Sequence, residues 1–193
     1  AFRCNLVTLR LTGGKSAVSG KGRRAIMEDF SAGHITTQEA RLLIEEIDSK
    51  LGSDHIRFYP GVSYRHLMVW KGGKDKIECT PPHDIQDKDI LDYLPRGEGD
   101  EVINALMEAS TELLLAHPVN KARQEKGKRM ANSVWFWGQG KRPSMPTFRE
   151  KFGIEGSMIS AVDLTKGIGI YAGFEVITVP GATGWLDTNY VGK

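Results

Sequence analysis

Thr36-Thr37-Gln38-Glu39-Ala40-Arg41-Leu42-Leu43-Ile44-Glu45-Glu46-Ile47-Asp48-Ser49-Lys50-Leu51-Gly52 is the stretch that decides the fold class. Thr36 and Glu39 have the spacing of a capping box, in which each side chain satisfies the other's backbone N–H. Leu42, Leu43, Ile47 and Leu51 then recur at helical spacing, and Gly52 closes the run. A helix over about 37–51 follows. Runs rich in β-branched, aliphatic and aromatic residues flank it, at 2–11 before and at 55–59 and 63–71 after. Strands interleaved with helices imply an α/β chain with a mixed sheet and flanking helices.

Working outward, residues 13–34 read as one long loop rich in Gly, Ser, Lys and Arg. A loop of that length in a compact domain usually carries function. Lys71-Gly72-Gly73-Lys74 predicts a hairpin into a strand near 76–80, and Pro81-Pro82 opens an irregular stretch to about 98. From Asp100, the positions Val102, Ile103, Leu106, Ser110, Leu113 and Leu114 share a helical face. That helix reaches Ala116 and resumes after Pro118 as far as Lys126. Ser133–Gly138 is a short aromatic strand, with Trp135 and Trp137 on one face and one of them in the core. A turn over 143–146 and a short helix over 147–152 come next, then strands at 157–162 and 174–179 flanking a helix at 164–172.

Bulk properties narrow the function classes. The 193 residues carry a net charge of only +2, so no whole-molecule field points to nucleic acid. Cys4 and Cys79 are the only cysteines, which argues against a disulfide scaffold and for a reducing, cytoplasmic setting. No apolar run reaches the length of a membrane span, and no secretory signal opens the chain. The chain begins inside a strand-like run and stops at Val191-Gly192-Lys193 without a closing element, as a segment of a longer protein would.

Several short motifs fail on inspection. Gly14-Lys15-Ser16 resembles the tail of a phosphate-binding loop, but the glycine needed five residues earlier is Leu9. Gly167-x-Gly169 has dinucleotide spacing without room for the helix that must follow, and Gly138-x-Gly140 meets Pro143 where a third glycine is required. There is no HExxH, no CxxC and no GxSxG, and none of the five histidines pairs at metal-ligand spacing.

Four loops keep chemical content. Asp29-Phe30-Ser31-Ala32-Gly33-His34 places a carboxylate, a hydroxyl and an imidazole before a helix N-terminus, where anions are favoured. Tyr59–His66 delivers Arg65 on a strand, suited to bidentate carboxylate or phosphate binding. Thr80-Pro81-Pro82-His83-Asp84 stiffens a His-Asp pair with tandem prolines. Asn132–Lys141 ends an aromatic strand in glycines bearing the Gln139 amide and the Lys141 ammonium, and Arg123 adds a further cation. No nucleophile with an activating partner is evident.

With FRCNLVT, SAGHITTQEA, YPGVSYRHLMV, CTPPHDI, HPVNKAR, WFWGQGK, ISAVDLTKGIG and VPGATGWLDTNYVGK in collinear order, the sequence resembles the archaeal-type cofactor-independent phosphoglycerate mutase family of the alkaline phosphatase superfamily. The resemblance implies a metal-dependent phosphatase domain interrupted by an inserted substrate-binding domain. It also implies interconversion of 3-phosphoglycerate and 2-phosphoglycerate through a phosphoserine, with two divalent cations (manganese, magnesium or zinc) clamping the phosphoryl group. On that pattern the serine and the metal-binding Asp-Gly motif fall before Ala1, and the later Asp/His ligands fall after Lys193. Residues 1–153 would be the inserted domain and 154–193 a return into the phosphatase domain, the rest of which is the expected partner. No metal ligand is expected in this chain, and the segment alone is expected to be inactive. The resemblance carries substrate contact onto His34, Arg65, Asp84, Lys141 and Lys166; with the residues read from the loops, the candidate set is His34, Arg65, His83, Asp84, Arg123, Gln139, Lys141 and Lys166. The W-x-WGQG form is similar to a branch proposed to phosphorylate homoserine, which stands as the alternative activity. A stand-alone domain binding a small anion is the reading from another class.

Overall fold

The computed structural model describes residues 1–12 and 24–193; of the loop expected over 13–34, residues 13–23 lie outside the described residues, and Arg24–Asp29 is a strand and not loop. The chain divides into two units, Ala1–Lys141 and Arg142–Lys193.

Within the first unit, the strand β1 (Phe2–Thr12) organises everything else. Its first half runs antiparallel between β4 (Arg65–Trp70) and β7 (Ser133–Trp137), and its second half pairs with β2 (Arg24–Asp29). The edge strand β3 (Ile56–Tyr59) completes a five-stranded sheet in which every pair is antiparallel. The register of β1 slips between Thr8 and Leu9 where it changes partner. Two buried amides hold that junction together. Asn132 gives its Nδ2 to the Leu9 carbonyl at 2.8 Å and accepts the Leu9 N–H at 2.7 Å, standing in for a strand neighbour. Asn120 donates to the carbonyls of Leu114 and Ala131 and accepts the N–H of Ala131.

One sheet face carries Phe2, Cys4, Leu6, Met68, Val134 and Phe136, all buried. The helix α1 (Thr37–Leu51) and α2 (Asp100–Ala116) complete the core. The capping box at Thr36 and Glu39 is formed. The buried positions of α1 are Ala40, Leu43, Ile44 and Ile47, an i, i+3, i+4, i+7 set. Leu42, expected on that face, is 53 % exposed. Along α2 the buried residues are Ile103, Met107, Ser110, Thr111 and Leu114. Its two hydroxyls stitch it to β7: Ser110 Oγ accepts the Val134 N–H, and Thr111 Oγ1 donates to Ser133 Oγ. Pro118 starts a separate helix α3 (Pro118–Glu125), with His117 as its N-cap.

The expectations around 71–98 are revised. β5 (Ile77–Glu78) is two residues long and pairs with β6 (Arg96–Gly97), not with β4. Both edges of β4 are already paired, one with β1 and the other with β3, so the chain cannot fold back along β4 as a hairpin. Two short 3-10 turns, Pro82–Ile85 and Ile90–Tyr93, lie within the stretch expected to be irregular.

In the second unit, α4 (Phe148–Phe152) is capped by Thr147 and Glu150. β8 (Ser157–Ile159) and β9 (Glu175–Ile177) form a parallel pair around α5 (Asp163–Tyr171). The fold is thus mixed α/β with a largely antiparallel sheet, and its one parallel pair stands in a sheet of its own.

Candidate anion-binding face

The sheet face opposite the α1 and α2 core is the chemical one. Strand alternation puts Arg3 and Asn5 of β1 on it, and the register sets Arg65 beside Asn5 and Leu67 beside Arg3 on one flank. On the other flank Trp135 lies beside Asn5 and Trp137 beside Arg3. Asn5 is buried and forms the floor: its Nδ2 donates to the Phe30 carbonyl at 3.1 Å and its Oδ1 accepts from Trp137 Nε1 at 3.0 Å. An aromatic chain runs across from there. The His83 ring lies 5.3 Å from Trp137 and 6.1 Å from Phe30, Phe30 lies 5.9 Å from Tyr64, and Tyr64 lies 6.0 Å from His34.

Two guanidiniums rest on the ends of this chain, Arg3 4.6 Å from the Trp137 centroid and Arg65 4.2 Å from Tyr64. Both arginines are exposed. Among the described residues neither has a carboxylate within ion-pair distance. Stacking fixes the plane of a guanidinium without using its N–H groups, so its donor edge stays available to a planar or tetrahedral anion. At the rim, His83 Nε2 is 3.7 Å from Asp84 Oδ1, too long for a hydrogen bond, and both side chains face solvent.

His34 reaches the face from an unusual backbone. Ala32, Gly33 and His34 have φ of +49°, +65° and +49°, three left-handed residues in a row of which one is glycine. Each non-glycine residue in that region costs on the order of 1 kcal/mol. Asp29 holds the turn from inside. Its Oδ1 accepts the N–H and hydroxyl of Ser31, and its Oδ2 accepts the Gly33 N–H and Arg129 Nη1. Burial alone would raise the Asp29 carboxyl; the bonds from Ser31, Arg129 and Gly33 outweigh it and leave the group below its ordinary range. Opposite, Ser63 (φ +54°) donates its hydroxyl to the Ile35 carbonyl at 2.6 Å and its N–H to Thr37 Oγ1 at 3.1 Å.

His34, Arg65, His83 and Asp84 therefore gather on or around one face. Arg123 does not join them. Its side chain is 3 % exposed, and Nε, Nη1 and Nη2 donate to the Arg129 carbonyl, Glu39 Oε2 and the Ala32 carbonyl, each at 2.8 Å. A guanidinium so engaged has little left for a ligand, and the substrate contact expected of it gives way to a tie between three segments. Gln139 donates to the Ile77 carbonyl, and Lys141 pairs with Asp75 at 2.8 Å. Both line a small cleft around Ala1 that shares no residue with the arginine face. Lys166 belongs to the second unit, where its Nζ lies 3.9 Å from Asp163. Arg3, Asn5 and Tyr64 were not singled out from the sequence. The signal was there in the first half of β1, where Arg3 and Asn5 alternate with the apolar Phe2, Cys4 and Leu6.

Among the described residues no group of three or more His, Cys, Asp or Glu side chains could hold a metal ion. The donor set present does not fit the cations that the resemblance implies, and no chemical step is derived through them. No helix there is long and apolar enough to cross a membrane.

Residues 1–120 match the family described as 2,3-bisphosphoglycerate-independent phosphoglycerate mutase. The chain belongs to that family. Among phosphoglycerate mutases of this kind, the Methanosarcina acetivorans protein is 54% identical over all of this chain, and a probable mutase of Geobacter sulfurreducens is 53% identical. The chain spans about half the length of these curated relatives, 46% of each. A solved cofactor-independent phosphoglycerate mutase from Thermoplasma acidophilum superposes on 93% of the chain with a TM-score of 0.60 at 25% identity, and the match takes in 47% of that structure. A Pyrococcus horikoshii structure with a TM-score of 0.64 at 21% identity shares the fold.

Proposed function

We propose that this chain is the substrate-recognising part of a phosphoglycerate mutase, and that the face built on Arg3, Asn5 and Arg65 receives the phosphorylated acid. The single observation that carries the reading is the pair of ring-stacked arginines without carboxylate partners among the described residues. Phosphoglycerate is anionic at both ends, so two guanidiniums on adjacent strands suit its phosphate and its carboxylate. His34, His83 and Asp84 at the rim are placed to orient its hydroxyl or exchange protons with it. The family membership and the match over the whole chain to proteins named as mutases support this substrate class. Homoserine, with one carboxylate and one ammonium, would leave one of the two arginines unmatched.

On this reading residues 1–153 are the inserted domain and residues 154–193 return into the phosphatase domain; the compact unit Ala1–Lys141 lies within the first of these. The remaining length of the relatives would supply the serine nucleophile and the two divalent cations. Turnover of 3-phosphoglycerate with manganese by a full-length parent, set against phosphorylation of homoserine with ATP, tests the activity. Calorimetry of the 193-residue chain with 3-phosphoglycerate tests the face. Arg65→Ala should weaken binding by roughly tenfold or more, the worth of a charge-assisted hydrogen bond; unchanged affinity would remove Arg65 from the site.

A further inference from the structure

We propose that Arg123 is a positioning residue, whose buried guanidinium holds Ala32–His34 in the left-handed turn that presents His34 to the anion-binding face. The inference rests on the proposed function for its ligand but not for its geometry.

Arg123 spends its three nitrogens on three different segments. Nη2 takes the Ala32 carbonyl inside the left-handed turn, and Nη1 takes Glu39 Oε2. That same carboxylate oxygen accepts the N–H and hydroxyl of Thr36 and so forms the cap of α1. Nε takes the Arg129 carbonyl, and the Arg129 side chain reaches on to Asp29 at the root of the loop. The turn is thus held at its middle, its root and its exit. A Cβ on Gly33 would lie 3.4 Å from Arg129 Cβ and 3.6 Å from Arg123 Nη2, so the two arginines also wall the turn from outside.

The conformation needs such restraint. Positive φ is uncommon for any residue but glycine, alanine included, and consecutive left-handed residues persist only where the surroundings over-determine them. The side chain carried by the last of them, His34, is exposed and contributes nothing to the core. It faces the Tyr64 ring, on which Arg65 is stacked. The strain therefore ends at the one member of the turn that meets the site. Of its three bonds, one is made to the turn itself at Ala32 and another to Glu39, whose carboxylate caps the helix that the turn leads into.

The test uses the 193-residue chain labelled for nuclear magnetic resonance. Arg123→Lys keeps the charge but cannot reach three separated acceptors at once. Carbon shifts of Ala32 and His34, which report the sign of φ, should be left-handed in the unaltered chain. In the variant they should move toward right-handed or extended averages while resonances of the sheet hold. Left-handed shifts that persist in Arg123→Lys overturn the proposal. Should Arg123→Lys unfold, Arg123→Met, which keeps an unbranched side chain but has no donor for Ala32, takes its place under the same criterion. A second arm measures 3-phosphoglycerate affinity in a double-mutant cycle with His34→Ala. Arg123→Lys should lose about tenfold, and the double variant should bind no more weakly than His34→Ala alone. Losses that multiply would also overturn the proposal. A chain that does not bind 3-phosphoglycerate would refute the substrate reading alone, because the carbon shifts decide the positioning role without ligand.

Discussion

His66 shows how a single side chain sets a site it does not touch. It is the strand neighbour of Arg65, turned into the core opposite Cys4. Its Nδ1 accepts the Gly61 N–H at 3.0 Å and so fixes the loop that delivers Tyr64 and Arg65. Its Nε2, which carries the proton in that tautomer, is buried without a partner among the described residues. Burial pushes the imidazole pKa down to about 3, whereas an unfolded histidine titrates near 6.5. Between those values the unfolded chain binds a proton that the folded chain refuses. Stability is therefore complete above about pH 6.5 and falls as pH drops, by up to about 1.4 kcal/mol per pH unit from this group. Burial also lowers the His117 imidazole, which adds to the slope in the same direction. Thermal unfolding between pH 5 and 6.5 checks this. His66→Asn, which keeps an acceptor for Gly61, should give a shallower pH dependence, and an unaltered slope would exclude His66 as its source.

At the scale of elements, α1 carries both a capping box and the link to Arg123 through Glu39. Thr36→Ala removes one side of the box and should cost about 1 kcal/mol, seen as a lower urea midpoint with unchanged m. A shift within error would show that the cap is redundant here. α1 was legible because cap, period and stop agreed, although Leu42 was assigned to the wrong face. The strand β2 was not legible. Arg24-Ala25-Ile26-Met27-Glu28-Asp29 adjoins a run of Gly, Ser, Lys and Arg, and its distant partners, β1 on one edge and residues 87–89 on the other, make it a strand. The hairpin expected after Lys71 failed because β1 and β3 take both edges of β4, pairings with segments that the local sequence around Lys71 does not reveal. The loops at 29–34, 59–66 and 80–84 come together at one face, and each was legible because its charge and turn residues are local features. Arg123 was misjudged because its burial depends on segments far away in sequence, at Ala32 and Glu39.

The whole molecule pairs a well-packed unit with one that leaves much apolar surface open. The core of Ala1–Lys141 includes Trp135, Phe136, Leu6 and Ile44, all fully buried. In Arg142–Lys193, by contrast, Leu164, Ile168, Ile170, Trp185 and Leu186 are each more than half exposed. Parallel strands normally have both faces covered, and β8 and β9 have only α5 between them in the chain. The 193-residue chain should therefore self-associate with rising concentration in light scattering, while a chain ending at Lys141 should remain folded and monomeric. A monodisperse 193-residue chain at high concentration would contradict this. One consequence of β1 concerns parity. Its even positions Phe2, Cys4 and Leu6 build the core, and its odd positions Arg3 and Asn5 build the anion face. Inserting or deleting one residue there would exchange the two sets, driving a guanidinium inward and a phenyl ring outward. Core and proposed recognition surface are interleaved on one strand, so a change of length would disturb both at once, whereas a substitution can alter one and spare the other.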